Sequence, residues 1–205
     1  MPTGTIVLRT RLRTDLGEPV ADRWSDDDLD HHIGHALRDI NRVAPRELTA
    51  TDLAIPDPAS REIDISSLTD RIAVTAVEYP VDRYPKRLRH FEVWGDTLTL
   101  LVDAMPAPGG VVYVYYTAAH TLGDEESTLP AHLEDVVVVG AAGYAALEYA
   151  AYAMNRVTVG GAGTAEQLAA FGRDRLMQFR QELSSLKRER RCALRTGELW
   201  TEDAR

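Results

Sequence analysis

The sequence predicts an α+β fold: a helical part, made of N-terminal helices plus two long C-terminal helices, with an inserted small antiparallel β-sandwich or open barrel. Three observations lead there. A clean helical stripe follows Trp24, the period changes to short β-rich runs between Leu48 and Leu122, and a helical pattern returns after Leu129. The segments read as an N-terminal helical part (1–46), a β-rich insertion (47–128), a C-terminal helical part that completes the helical domain (129–195), and a tail (196–205).

The first helix runs from Thr5 to about Leu16. Ile6, Leu8, Leu12 and Leu16 give it a modest apolar edge, and Gly17 with Pro19 stops it. In Trp24-Ser25-Asp26-Asp27-Asp28-Leu29, Ser25 is a good N-cap and Asp28 stands at the third position of a capping box. The acids complement the positive end of the helix dipole. Leu29, Ile33, Leu37, Ile40 and Ala44 then form one stripe, and Pro45 ends it.

β-rich runs at 62–65, 72–79, 88–94, 97–102 and 111–117 alternate with turn signals such as Pro56-Asp57-Pro58, Pro80 and Pro106-Ala107-Pro108-Gly109-Gly110. The segment FEVWGDTLTL predicts a hairpin closed at Gly95-Asp96.

Residues 133–157 predict a helix that is apolar on every side, with Val136 to Val139 already pointing four ways round the axis. Gly140, Ala141, Ala142, Gly143, Ala145, Ala146, Ala150 and Ala151 keep the cylinder thin. A helix with no polar face needs partners all round, in a core, a subunit interface, or both. Its uninterrupted apolar run, bounded by Asp135 and Glu148, is shorter than the ~20 residues a membrane span needs, so no membrane partner is expected. The candidates for oligomer packing are Val136, Val139, Gly140, Gly143, Tyr144 and Leu147.

Gly160-Gly161-Ala162-Gly163 breaks this helix, and Thr164 can cap the last one. The last helix carries a packing stripe of Leu168, Phe171, Leu176, Phe179, Leu183 and Leu186. Beside it runs a basic seam of Arg173, Arg180, Lys187 and Arg191, at spacings of seven, seven and four. Trp200 lies alone in the polar tail.

The net charge is −9, which disfavours general nucleic-acid binding. From 173 to 195 there are eight basic residues against three acidic ones, so an acidic body carries a basic arm. That polarity suits docking on an acidic partner or on another copy, the region of Asp26, Asp27 and Asp28 being one candidate. The arm and Trp200 are therefore the expected partner-docking residues, with an unburied tryptophan as anchor. A single cysteine, Cys192, excludes an intramolecular disulfide and a cysteine-rich zinc site. The N-terminus does not read as a signal peptide, which points to synthesis in a cytoplasm.

Candidates for chemistry are few. His31, His32 and His35 share a helix with Asp27 and Asp28, so a metal-dependent enzyme centred on them is an alternative reading, but Arg38 and Arg42 on the same face oppose a divalent ion. A solvated or interfacial histidine face is the simpler reading. His120 and His132 flank the acidic loop Asp124-Glu125-Glu126 and read as structural or exposed. The glycine run 160–163 lacks the lysine and spacing of a phosphate loop and reads as a hinge. Trp94, Tyr113, Tyr115 and Tyr116 read as sheet residues. No catalytic signature is present, so neither catalysis nor a cofactor is expected.

The order of parts is itself informative. LRTRLRTDLGEP leads to RWSDDDLDHHIGHALRDINRVAP, then AVEYP, FEVWGDTLTL and PGGVVYVYY, then LPAHLEDVVVVGAAGYAALEYAAYAMNR and a basic final helix. This order resembles the head–tail connector (adaptor) proteins of tailed bacteriophages and prophages. The resemblance implies a non-enzymatic virion protein of the neck, assembled in host cytoplasm, that forms a homo-oligomeric ring, twelvefold like the portal above it. The ring extends the channel through which DNA passes without sequence-specific binding. It further implies that 133–157 is the inner packing helix, that 164–195 with its tail reaches the portal, and that the β-rich part faces a downstream tail or neck protein. A tail-completion protein further from the portal has the same features.

Overall fold

The computed structural model describes residues 3–18, 22–154 and 165–198. Four helices and six strands follow in the order α1 (Thr5–Asp15), α2 (Asp26–Val43), β1 (Arg46–Ala54), β2 (Glu62–Asp64), β3 (Arg71–Glu78), β4 (Phe91–Trp94), β5 (Thr97–Leu100), β6 (Val111–Ala118), α3 (Ala131–Met154) and α4 (Ala165–Glu198). They form two compact units, an α+β arrangement. One unit comprises Met1–Ala44 and His120–Glu198 and holds every helix; the other, Pro45–Ala119, holds every strand.

In the helical unit, α2 begins as its sequence predicts. The Ser25 side chain accepts from the Asp28 amide at 3.1 Å, and the Asp28 carboxylate accepts from the Ser25 amide at 3.0 Å and from its hydroxyl at 2.7 Å. Those bonds hold the Asp28 carboxyl below its usual range. Leu29, Ile33, Ala36, Leu37 and Ile40 are buried on one face. On α1, Leu8 and Leu12 are buried, whereas Ile6 points out. The start of α1 is tied to the 120–128 segment, with the Thr5 amide donating to the Gly123 carbonyl at 2.9 Å. A Cβ on Gly4 would lie 2.2 Å from the Asp124 carbonyl oxygen, so this close approach requires glycine.

The central element is α3, which packs against α1, α2 and α4. Val137, Ala141, Ala142, Ala145 and Ala146 are fully or nearly fully buried, and the Trp24 indole donates to the Ala145 carbonyl at 3.3 Å. By length and composition α3 is able to cross a membrane, although 56% of the apolar window is buried inside the unit. Here it serves as a core helix.

The β unit has two antiparallel three-stranded sheets, ordered β1-β6-β3 and β2-β5-β4, neither closed into a barrel. Leu53, Val77, Val112 and Val114 from the first meet Ile63, Leu98 and Leu100 from the second in one core, as in a small sandwich. The predicted hairpin is present: Trp94 pairs with Thr97, and Gly95 takes φ +57°, a conformation that favours glycine. Strand β1 had no counterpart among the expected runs. It is an edge strand with one buried residue, Leu53, and an irregular register between Ala50 and Leu53, so its apolar alternation is faint. The 88–94 run is shorter than its pattern suggested, because Leu88 makes only an isolated bridge to Glu78.

Residues 120–128, grouped with the β insertion on sequence, lie with the helices. The Asn41 side chain donates to the His120 carbonyl at 3.2 Å and accepts from its amide at 2.8 Å. The buried His120 ring sits between the carbonyls of Thr128 and Ala44, at 2.9 and 3.1 Å.

Candidate assembly surfaces

The α3–α4 seam is built on glycines. An added Cβ would fall 2.9 Å from the Phe179 ring at Gly140, 2.8 Å from Leu176 at Gly143, and 2.8 Å from Leu147 at Gly172. The two helices therefore approach more closely than any side chain at these positions would allow. Of the six residues expected to pack between subunits, Gly140 and Gly143 are thus covered by α4 of the same chain. Val136, Val139, Tyr144 and Leu147 are half-buried at the margins of the helical core.

Tyr144 is also held within the chain. Its hydroxyl donates to Asp39 Oδ2 at 2.6 Å, its ring stacks on His35 with centroids 4.0 Å apart, and the Phe179 ring meets it edge-on. Burial, with the Asp39 carboxylate, pushes the phenol up to about 12, so it stays protonated and donating at any ordinary pH.

The packing stripe of α4 turns inward: Leu176 and Phe179 are buried, and Leu168, Phe171, Leu183 and Leu186 pack at the core edge. The basic seam turns outward. Arg173, Arg180 and Lys187 are exposed and, with Arg188, line an open groove of about 810 Å³ together with Leu147, Leu176 and Met177. No ion pair joins any of these four cations to another described residue. Met177 is 56% exposed, a large apolar surface beside four positive charges. Arg191 lies in the last turns of α4 with its side chain outside the described set. Trp200 and the glycine run 160–163 lie outside the described residues altogether.

Two of the three acids at the start of α2 have partners within the chain, while Asp27 is exposed with no ion pair among the described residues. Asp26 receives Arg13 at 2.6 Å and Arg9 at 2.9 Å, and the Arg13 bond holds its carboxyl below the usual range. Asp28 closes the capping box, and Asp30 accepts from Arg9 at 2.5 Å. Arg11 reaches Glu134 at 2.9 Å, and Arg175 pairs with Asp15.

A second acidic set is unengaged. Asp124, Glu125 and Glu126 are exposed in a tight turn closed by the Gly123 amide donating to the Glu126 carbonyl at 2.7 Å. No described residue forms an ion pair with any of the three.

The histidines of α2 go separate ways. His32 is buried, with Nε2 3.6 Å from Glu148, and burial pushes its pKa below the ordinary value even against that carboxylate. His35 stacks on Tyr144, and His31 meets His32 edge-on. Among the described residues no group of three His, Cys, Asp or Glu side chains is placed to hold a metal ion. His132 is exposed, unlike His120.

On the β unit, Val112 and Val114 face the core, while the Tyr113 hydroxyl meets Asp82 and Tyr115 donates to the buried Glu78 at 2.6 Å. Lys86 donates to the same Tyr115 oxygen at 2.6 Å. Trp94 is a sheet residue as expected, the last of β4 and paired with Thr97, and at the hairpin tip it is 78% exposed. Its position on an edge strand next to Gly95-Asp96 was the available signal: a tip residue has few neighbours to cover it.

The family model described as SU10 adaptor protein matches residues 6–197. No curated protein matches. Among solved structures, the chain is similar to one in "Neck of empty GTA particle computed with C6 symmetry", at 18% identity and a TM-score of 0.30, covering 80% of this chain and 85% of that one.

Proposed function

This chain belongs to the SU10 adaptor protein family of phage head–tail adaptors, and we propose that its copies close into a ring that sits under a portal and extends the DNA channel. It is a structural adaptor protein of a phage-like particle. The observation that carries the finer reading is the family match over residues 6–197, which reaches across both units and takes in α1 from its second residue, all six strands, and all of α2 and α3.

In this reading the helical unit builds the ring and the β unit meets the next tail or neck component. Half-buried Val136, Val139, Tyr144 and Leu147, at the edge of the helical core, supply apolar contact between copies. Arg173, Arg180, Lys187, Arg191 and Trp200 dock partners, and the segment beyond 195 engages the portal. The acidic composition suits a channel that lets DNA slide, since gripping a phosphate backbone takes a row of cations. The reading assigns neither catalysis nor a cofactor.

Negative-stain electron microscopy of the purified chain at high concentration tests the ring and counts its subunits. Closed rings with an open centre are expected. A chain that stays monomeric both alone and with a portal refutes the assignment. Deleting 195–205 is expected to leave the helical signal intact and abolish portal binding; unchanged binding removes the tail from the docking role.

A further inference from the structure

We propose that the groove on α4 is the socket for the acidic turn 123–126 of a second copy of this chain, and that this contact is the repeating joint of the ring. The inference rests on the ring reading above and specifies which surfaces meet.

The argument begins with how charge is distributed inside the helical unit. Many charges of the helical unit are paired within it, Arg9 with Asp26 and Asp30, Arg11 with Glu134, Arg13 with Asp26 and Glu18, and Arg175 with Asp15, while Asp27, Arg38 and Asp174 stand singly with no ion pair among the described residues. Two sets stand apart. Arg173, Arg180, Lys187 and Arg188 around the groove have no ion pair among the described residues, and neither have Asp124, Glu125 and Glu126. Opposite charges left unmatched on two different surfaces of one chain are complementary between copies.

Shape agrees with charge. The acidic turn is short and pre-formed. The Gly123 amide closes it on Glu126, Leu122 bridges to Ser127, and the amides of Thr5 and Ile6 fix its base at 2.9 and 3.4 Å. A turn fixed in advance has little conformational freedom left to lose on docking. The groove lining combines these cations with apolar surface from Leu147, Leu176 and Met177, so a docked turn would also cover exposed Met177. Along a helix, Arg180 and Lys187 stand about 10 Å apart. A closed turn holds its three carboxylates close together, and the long side chains of Arg180 and Lys187 have the reach to converge on them.

Because socket and turn are different surfaces, the contact is heterologous. Such contacts repeat head to tail and close into a ring when the rotation allows, whereas a two-fold contact stops at a dimer. Duplex DNA is a poorer occupant, because a long polyanion must also run along the remaining surface of a chain of net −9, whereas a short turn meets the groove alone.

The test uses full-length chain carrying charge reversals. One variant is Arg180→Glu with Lys187→Glu; the other is Glu125→Lys with Glu126→Lys. Each positions its changes on exposed side chains, and circular dichroism with thermal melting verifies the fold. A neutral turn variant, Glu125→Gln with Glu126→Gln, stands in if the reversal disturbs folding. Sedimentation velocity and negative stain then read assembly. Wild-type rings are expected, each reversed variant alone is expected to lose them, and an equimolar mixture is expected to restore them, because every reversed socket finds a reversed turn and every native socket a native turn. Rings from a folded reversed variant alone would overturn the contact while leaving the ring reading standing, as would a mixture of folded variants that stays dissociated. A wild-type chain that never closes a ring, with or without a portal, would remove both. Binding of the wild-type groove to duplex DNA at moderate salt, lost in Arg180→Glu with Lys187→Glu while ring assembly persists, would assign the groove to nucleic acid instead.

Discussion

Gly143→Ala measures how closely α3 and α4 approach. In most helix interiors this change is favourable, because alanine gains about 1 kcal/mol over glycine in helix propensity. At position 143 the new Cβ would lie 2.8 Å from two side-chain carbons of Leu176 and 3.1 Å from its backbone nitrogen. Carbon atoms rest about 3.5–4.0 Å apart, so Leu176 must retreat by most of an ångström. Its side chain is buried, and the backbone nitrogen moves only if α4 moves. Overpacking of this kind costs about 1–3 kcal/mol, and a contact with backbone belongs at the upper end. Set against the propensity gain, the net loss is about 2 kcal/mol. Gly34→Ala on α2 is the control, since its nearest neighbour is a mobile Arg38 nitrogen at an ordinary 3.6 Å. It is expected to stabilise by about 1 kcal/mol. Thermal unfolding followed by helical circular dichroism should therefore separate the two variants by about 3 kcal/mol, roughly 10 °C for a unit of this size. A Gly143→Ala variant that melts with or above Gly34→Ala would refute the claim that the glycine seam sets the helix spacing.

Three further expectations follow from the helical unit. Ser25→Ala removes the capping box of α2 and should lower stability by about 1 kcal/mol, read by denaturant unfolding. Arg13→Leu leaves Glu18 buried without its cation and should cost about 3 kcal/mol; Arg13→Leu with Glu18→Gln should recover part of that loss. His32 has a folded pKa below its unfolded value of 6.5, so the unfolded chain takes up the proton first as pH falls. Its contribution is complete above about pH 6.5 and declines as pH falls through that value toward the lower folded one. His32→Phe should flatten this part of the stability–pH profile, and an unchanged slope between pH 6.5 and 5 would show that His32 does not titrate there.

Local signals were legible where one segment determines its own structure. Ser25 and Asp28 are three residues apart and meet in a capping box without help from the rest of the chain. The Gly95-Asp96 turn likewise needs only its own backbone. Leu176 and Phe179 turned inward as their stripe requires. Strand β1 was not legible because an edge strand keeps the apolar alternation of one buried residue, and its partner β6 lies more than fifty positions away in sequence. The roles of Asp26 and Gly140 also depend on distant chain. Nothing near Asp26 says that Arg9 and Arg13 will reach it, and a thin helix looks alike whether its small residues admit α4 or a neighbouring subunit. Trp94 is a strand residue, as its flanking pattern says; its exposure follows from the edge position and the tip of the hairpin, which depend on the sheet order.

The two faces of α4 separate folding from assembly in a way that mutation can exploit. Its inner face meets α3 so closely that a Cβ added at Gly140, Gly143 or Gly172 would fall within 3 Å of the facing side chain, so a single methyl group is enough to shift the helices. Its outer face carries Arg173, Arg180 and Lys187, whose charges have no described partner and whose exposed side chains contribute little to the monomer's stability. Substitutions on the inner face should therefore move the melting temperature first and assembly only through it. Substitutions on the outer face should leave melting within about 0.5 kcal/mol of wild type and change assembly directly. A salt titration adds an independent check: at 1 M the screening length falls to about 3 Å, so contacts made by the outer face should weaken while the glycine seam is unaffected. If high salt instead dissociated nothing and melted the helical unit, the outer charges would be serving the fold, and the assignment of the two faces would have to be reversed.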